Sequence, residues 1–437
     1  MLQGILIIAF MVAIMALMVT RRMPTVIALL VLTVGICLIG GVPAFAVDET
    51  GAEVGFIKAV IQSGAIKLAD AMIVSVFAGW LGMIMEKTRI SETMIKKGAE
   101  LGGDKSLVVT LILFTVASLL FTVVNGLGTV IMVGTIVIPI LSAVGVNSFI
   151  CAAVMLFAYT VGNNSNLASL NVYASMLGAD FEKIQLIGAI CSVGIYVMGV
   201  LFILTQSRKA GKKFAFSAQV NETEESDFEI KGVTGALAML TPLIPLVLVI
   251  VFKFQLIAAF LVAIVWAIVF TCGKYGWKKT MNLLTKTLFD GFSATAPSVT
   301  LMVVIGMLLN AVGQPQVKEA LDPFIRMVTP STTITFVLFF SILAPLTLYR
   351  GPLNLMGMGS GIAALMTSLN ILPLHAMAGA FVSVQNTMES VCDPTNTHDV
   401  WVAGFVGEEV TSVAKRLVIW VWPMTLVCVI VSAILWL

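Results

Sequence analysis

The chain is a succession of apolar runs of 18 to 22 residues, roughly 3–20, 24–42, 66–85, 185–206, 234–252, 255–272, 293–312 and 416–437. No other feature constrains its fold as tightly. A helix needs about 20 apolar residues to cross the hydrocarbon core, and inside lipid every backbone amide must find its partner within the protein. The runs therefore predict an all-α integral membrane protein. Charged residues make up 11% of the chain, against about 25% in soluble domains, and the mean hydropathy is +1.05. A net charge of +2 gives no reason to expect a nucleic-acid partner; the partners expected are the lipid bilayer and a small solute, and a homodimer is compatible with the sequence. The six cysteines, Cys37, Cys151, Cys191, Cys272, Cys392 and Cys428, stand singly in or near apolar segments and read as reduced packing residues. The first run has no basic residue before it and no small-residue cleavage site, so it reads as a retained span.

One hydrophilic stretch, about 206–232, divides the chain almost in half, and the halves repeat each other's order of features. A shift of about 227 places Gly64 on Gly291 and Gly79 on Gly306; about 225 places Gly126 on Gly351, Gly134 on Gly359 and Asn125 on Arg350; about 229 places 163–166 on 392–395 and Gly178 on Gly407. The expected layout is a first inverted repeat over 1–206, with a re-entrant hairpin at 107–145 and a broken helix at 148–178. A cytoplasmic linker at 207–232 follows, then a second repeat over 233–437 with its hairpin at 331–370 and broken helix at 373–404. Each repeat then crosses the membrane five times, and the odd count inverts the second. With both termini outside, Arg21, Arg22, Lys87, Arg89, Lys96, Lys97, Lys105, the 208–213 cluster, Lys231, Lys274, Lys278, Lys279, Lys286, Lys415 and Arg416 fall inside. Only Lys58, Lys67, Lys183, Lys253, Lys318 and Arg326 fall outside, the asymmetry that cytoplasmic loops carry. If the hairpins each cross fully, the count becomes about fourteen spans.

Polar breaks inside apolar segments survive only where they are buried in protein or line a wet cavity, so the ligand is expected there. The first break is the tip VVNGLGTV, with Asn125, Gly126 and Thr129; the second is TVGNNSNLASLN, with Asn163, Asn164, Ser165 and Asn166. The third, TLYRGPLN, carries Arg350 and Asn354. The fourth, VQNTMESVCDPTNTHDVW, carries Glu389, Asp393, Thr395, Asn396, His398 and Asp399 around Pro394. An intramembrane arginine is by default a functional group, and its planar fork suits a carboxylate; its partner is either a substrate or Glu389. The neutral amides and hydroxyls would contact substrate. Glu389, Asp393, His398 and Asp399 would carry a coupling H⁺ or Na⁺, and no other cofactor is expected. Only two histidines occur, with no HExxH, GxSxG or phosphate loop, so an enzyme is not expected.

The polar tip and exit NGLGTVIMVGTIVIPI, followed by the broken helix FAYTVGNNSNLASLNVYA and repeated after a linker, resembles the ion transporter superfamily of secondary carriers, which includes gluconate, citrate and dicarboxylate permeases. The Ser-Asn-Thr tip of the dicarboxylate branch is absent, which favours the gluconate- and citrate-like branches. The resemblance implies substrate and cation sites at 125–129, 163–166, 350–354 and 393–397, and an elevator-like movement of the hairpin domain in the cell membrane. The expected function is cation-coupled symport of a small organic anion, with a cation/proton antiporter using Glu389 and Asp393 as the alternative.

Overall fold

Apolar residues in hydrocarbon have helices as their one local way to satisfy the backbone, and the chain takes it throughout. The computed structural model describes residues 1–20, 22–47, 51, 53–103, 105–209, 232–272, 276–368 and 371–437. Arg21, Lys231, Lys274 and nearly all of the expected linker lie outside the described residues. Among those described there is no strand, only an isolated bridge between Val47 and Glu53.

The first half runs α1 (Leu2–Val19), α2 (Thr25–Ile39), a π-helical segment Phe56–Gln62 leading through α3 (Ser63–Ala65) into α4 (Ala69–Lys87), then α5 (Ile90–Gly102). A helical pair follows, α6 (Ser106–Phe121) and α7 (Leu127–Ala143), then a broken helix of α8 (Ser148–Asn163) and α9 (Leu167–Leu177), then α10 (Phe181–Lys209). The second half repeats this order. The pieces α11 (Gly232–Ala238) and α12 (Leu243–Ile250) stand for α1, and α13 (Leu256–Cys272) for α2. Next come α14 (Trp277–Val312), α15 (Pro315–Val328) and the pair α16 (Thr333–Ile342) and α17 (Gly359–Ser368). The second broken helix is α18 (Leu374–Val384), a π-helical turn Gln385–Glu389, α19 (Ser390–Cys392) and α20 (Thr397–Phe405); α21 (Val410–Trp436) ends the chain.

The inversion is visible where α3 and α4 cross α14. A Cβ added to Gly64 would lie 2.6 Å from the Met307 Cα, and one added to Gly291 would lie 2.7 Å from the Trp80 backbone nitrogen. Gly64 thus meets Gly306–Met307, while Gly79 meets Gly291, so the numbers rise along one helix as they fall along the other. Gly64 is the repeat mate of Gly291 and Gly79 that of Gly306, so each glycine touches its partner's mate. That reciprocity is the mark of a two-fold axis, here perpendicular to two antiparallel helices.

Two bodies result. In one, α14 packs on α2, α3 and α4, α13 on α4 and α12, and α1 on α2. In the other, α8 packs on α6 and α10, and α18 on α10 and α21. Residues 149–164 and 376–394 are buried without interruption, enclosed by other helices, and carry polar residues at 163–164 and within 385–393 into the interior.

Several boundaries differ from expectation. By length and composition, Phe56–Lys87, Phe181–Gln206, Trp277–Val312 and Val410–Trp436 suffice alone to cross a membrane, and the other apolar helices are shorter. The expected span 234–252 is interrupted at 239–242, where Pro242 brings no N–H and the Thr241 hydroxyl bonds back to the Ala238 carbonyl at 2.6 Å. The expected span 293–312 begins at Trp277 instead, so Lys278, Lys279 and Lys286 ride on a helix and not in a loop. At 36 residues that helix is about 54 Å long, far more than the roughly 30 Å hydrocarbon core. The helices α5 and α15 fall in stretches read as loops; each is amphipathic, burying Ile90, Met94 and Ile95 in one and Val317, Ala320 and Leu321 in the other.

Candidate functional site

At the first tip the chain must reverse within a few residues, and Gly126 does so with φ +94°, a conformation L side chains rarely adopt. Beside it Asn125 is a hub. Its Nδ2 donates to Asn163 Oδ1 at 3.0 Å and to Ser169 Oγ at 2.8 Å, while its Oδ1 accepts from the Gly126 amide at 2.6 Å and the Tyr159 hydroxyl at 2.9 Å. Ser169 also donates to Asn163 Oδ1 at 2.8 Å. Thr129 donates to the Asn125 carbonyl at 3.2 Å, and Ser165 turns the break. Asn166 holds the start of α9: its Oδ1 accepts from the amides of Ala168 and Ser169, both at 3.1 Å, and its Nδ2 reaches the Phe121 carbonyl.

The second tip is longer and differently closed. Its left-handed residues are Tyr349 (φ +58°) and Arg350 (φ +59°), whereas Gly351 is ordinary at φ −71°. The expected pairing of Asn125 with Arg350 and of Gly126 with Gly351 therefore does not hold. Asn125 precedes the cap of α7 by one residue, while Arg350 stands nine residues ahead of α17, because hydrogen-bonded turns at 351–357 come between them. Asn354 is buried inside this loop, donating to the Thr347 carbonyl at 3.0 Å and accepting from the Met356 amide at 2.9 Å.

This tip docks on the second broken helix. Asp393 Oδ1 accepts from the Tyr349 amide at 3.1 Å and from the Thr395 amide and hydroxyl at 2.9 and 2.7 Å; its Oδ2 is buried and unpartnered. The Leu355 amide donates to Gln385 Oε1 at 2.8 Å. Arg350 Nη1 lies 3.7 Å from Glu389 Oε1, an ion pair too long for a hydrogen bond, with 23% of the arginine side chain exposed. Glu389 Oε2 accepts from the Ser390 hydroxyl at 3.3 Å, and Asn396 Nδ2 donates to the Glu389 carbonyl.

The two broken helices meet where Thr160 donates to the Ser390 carbonyl at 3.2 Å and the rings of Tyr159 and His398 lie 4.2 Å apart. Asn125, Asn163, Glu389, His398 and, through its tip, Arg350 thus belong to one connected region. The side chains of Asn166, Asn354 and Asn396 are engaged with backbone and build the breaks. Asn164 and Asn386 are fully buried, with both ends of each amide unpartnered. Asp399 is likewise buried, and neither of its oxygens accepts a hydrogen bond. Sequence reasoning passed over Tyr159, Ser169 and Gln385. Tyr159 sits one helical turn before Asn163 and Gln385 one turn before Glu389, spacing that places each pair on one face.

No family model and no curated protein sequence matches the chain. Solved structures do. The YdaH transporter of Alcanivorax borkumensis is similar over 99% of this chain and 97% of its own, with a TM-score of 0.57 and 13% identity. MtrF of Neisseria gonorrhoeae, of a class of antimetabolite efflux pumps, is similar over 95% of both chains, with a TM-score of 0.60 and 10% identity. The chain therefore has a fold found among membrane transporters.

Proposed function

We propose that this protein is a multi-pass secondary transporter that moves a small organic anion, coupled to H⁺ or Na⁺, by alternating access. The observation that carries this reading is the incomplete pairing of Arg350. A guanidinium has five donors. Among the described residues this one has a single ion pair at 3.7 Å and no hydrogen bond, at the tip that docks on the second broken helix. A carboxylate of gluconate or citrate type would complete its fork bidentately, and in this reading Asn125, Thr129, Asn163 and Asn164 supply its polar contacts. The broken, inverted layout supports alternating access, and the resemblance to ion transporter superfamily carriers supports the substrate class. In this reading residues 1–206 and 233–437 are the repeats and both termini face outward.

Replacing Arg350 by Gln should abolish counterflow of the anion in proteoliposomes, with substrate-induced thermal stabilisation lost as well; exchange at the wild-type rate would overturn the assignment. A second reading is favoured by the closeness of Glu389 to Arg350: a cation/proton antiporter in which the arginine only tunes Glu389. Ion flux independent of every organic anion tested would favour it.

A further inference from the structure

Four ionisable groups were expected to share the coupling role, and their surroundings separate them. Glu389 faces Arg350. Asp393 spends one oxygen on three donors that tie the second tip to the broken helix. Asp399 has no cation or donor within hydrogen-bonding distance; the donors nearest to it are the Asn396 side chain and His398 Nε2. It lies in the first turn of α20, where a capping carboxylate would take backbone N–H groups, yet both oxygens are unpartnered at 2% exposure. A bare ionised carboxylate so placed is destabilised by many kcal/mol, whereas a neutral carboxylic acid is not.

Beside it stands His398, Nε2 3.8 Å from Asp399 Oδ2, with 12% of its side chain exposed. The same nitrogen lies 3.3 Å from the Ser390 carbonyl. Since a carbonyl only accepts, Nε2 carries the hydrogen. The other charged and titratable groups near Asp399 are Asp393, Glu389 and Arg350, with Cys392 on its own broken helix and Tyr159 on α8.

Resting on the transport reading above, we infer that the coupling ion is a proton, carried as the carboxylic acid of Asp399 and delivered through His398. A hydronium ion gives its proton to His398 Nδ1 and leaves as water, and the Nε2 proton passes to Oδ2 of the ionised Asp399. This leaves a neutral imidazole with its hydrogen on Nδ1 and a neutral acid; release is the reverse. The Tyr159 ring on His398, with the Tyr159 hydroxyl on Asn125, links this step to the first tip. His398 is a positioning and relay residue, and Glu389 belongs to the anion side.

Two measurements on the purified full chain test this. Infrared difference spectra between acid and alkaline buffer, with no substrate present, should show a carboxylic-acid C=O band that Asp399→Asn removes and that Glu389→Gln and Asp393→Asn retain; Asp399→Glu should restore it, shifted. In proteoliposomes given radiolabelled gluconate and citrate, Asp399→Asn should lose accumulation driven by a pH gradient and Asp399→Glu should restore it in part. His398→Gln should slow the pH-driven phase. A band that survives in Asp399→Asn, or is lost in Glu389→Gln, overturns the proposal. Wild-type counterflow driven by Na⁺ alone, without proton uptake, overturns it while leaving the transport reading intact. The Asp399 band without movement of either acid sinks the substrate class and keeps the proton site.

Discussion

Tyr349 and Arg350 hold consecutive left-handed conformations with full side chains, each destabilising by about 1–3 kcal/mol. The surroundings that over-determine this geometry are the Asp393 carboxylate on the Tyr349 amide and Gln385 on the Leu355 amide. Truncating Asp393 to Ala removes a charge-assisted hydrogen bond of about 1.5–3 kcal/mol and should free the tip. Amide hydrogen exchange over residues 346–355 should rise by at least tenfold, while α8 and α9 stay protected. Unchanged exchange would mean the tip is held by its apolar contacts alone. Arg350 and Asp393 were legible in the sequence because a charge in an apolar run is conspicuous. Asn166, Asn354 and Asn396 engage backbone groups in the structure, and in sequence an asparagine that caps a helix or closes a loop reads the same as one awaiting a ligand. Asp399 was visible as an acid, but the lack of a donor within hydrogen-bonding distance of its oxygens is a fact of three dimensions.

At the scale of elements, the crossing of α3 and α4 with α14 leaves no room for a side chain. At Gly64 and Gly291 the first atoms met are backbone, which cannot rotate away. Gly64→Val and Gly291→Val should each lower thermal stability by an amount equivalent to about 1–3 kcal/mol or more, and to similar extents, because the axis makes the sites equivalent; differential scanning fluorimetry would show it. The surface variant Glu319→Ala should leave stability unchanged. The repeat could be read from the order of features and from these glycines. Gly178 and Gly407, matched by the same reasoning, both follow the second half of a broken helix at φ +65° and +76°. The register of the hairpins could not, because a constant shift presumes equal loops and the second tip is longer. The surface helices α5 and α15 carry the i, i+3, i+4 apolar pattern, but their charges made them look like loops.

For the whole molecule, a cavity of about 500 Å³ opens between the bodies, lined by Asp70, Asn171, Glu182, Gln185, Lys253 and Gln255. Across it Lys253 Nζ meets Glu182 Oε1 at 3.0 Å, joining the α12–α13 turn to α10. Exposed as it is, the pair adds little stability, yet it marks where the bodies touch. Joining Glu182→Cys to Lys253→Cys with a short bismaleimide should stop counterflow while leaving anion-induced thermal stabilisation in place; full counterflow would show that the bodies need not part there. The reciprocal glycine seam carries one more consequence. A surface that receives its own mate by a two-fold turn holds both plug and socket, so either half of the chain carries all it needs to recognise an upside-down copy of itself. Residues 1–206 made alone should leave the membrane as pairs, each member inserted the opposite way round from the other.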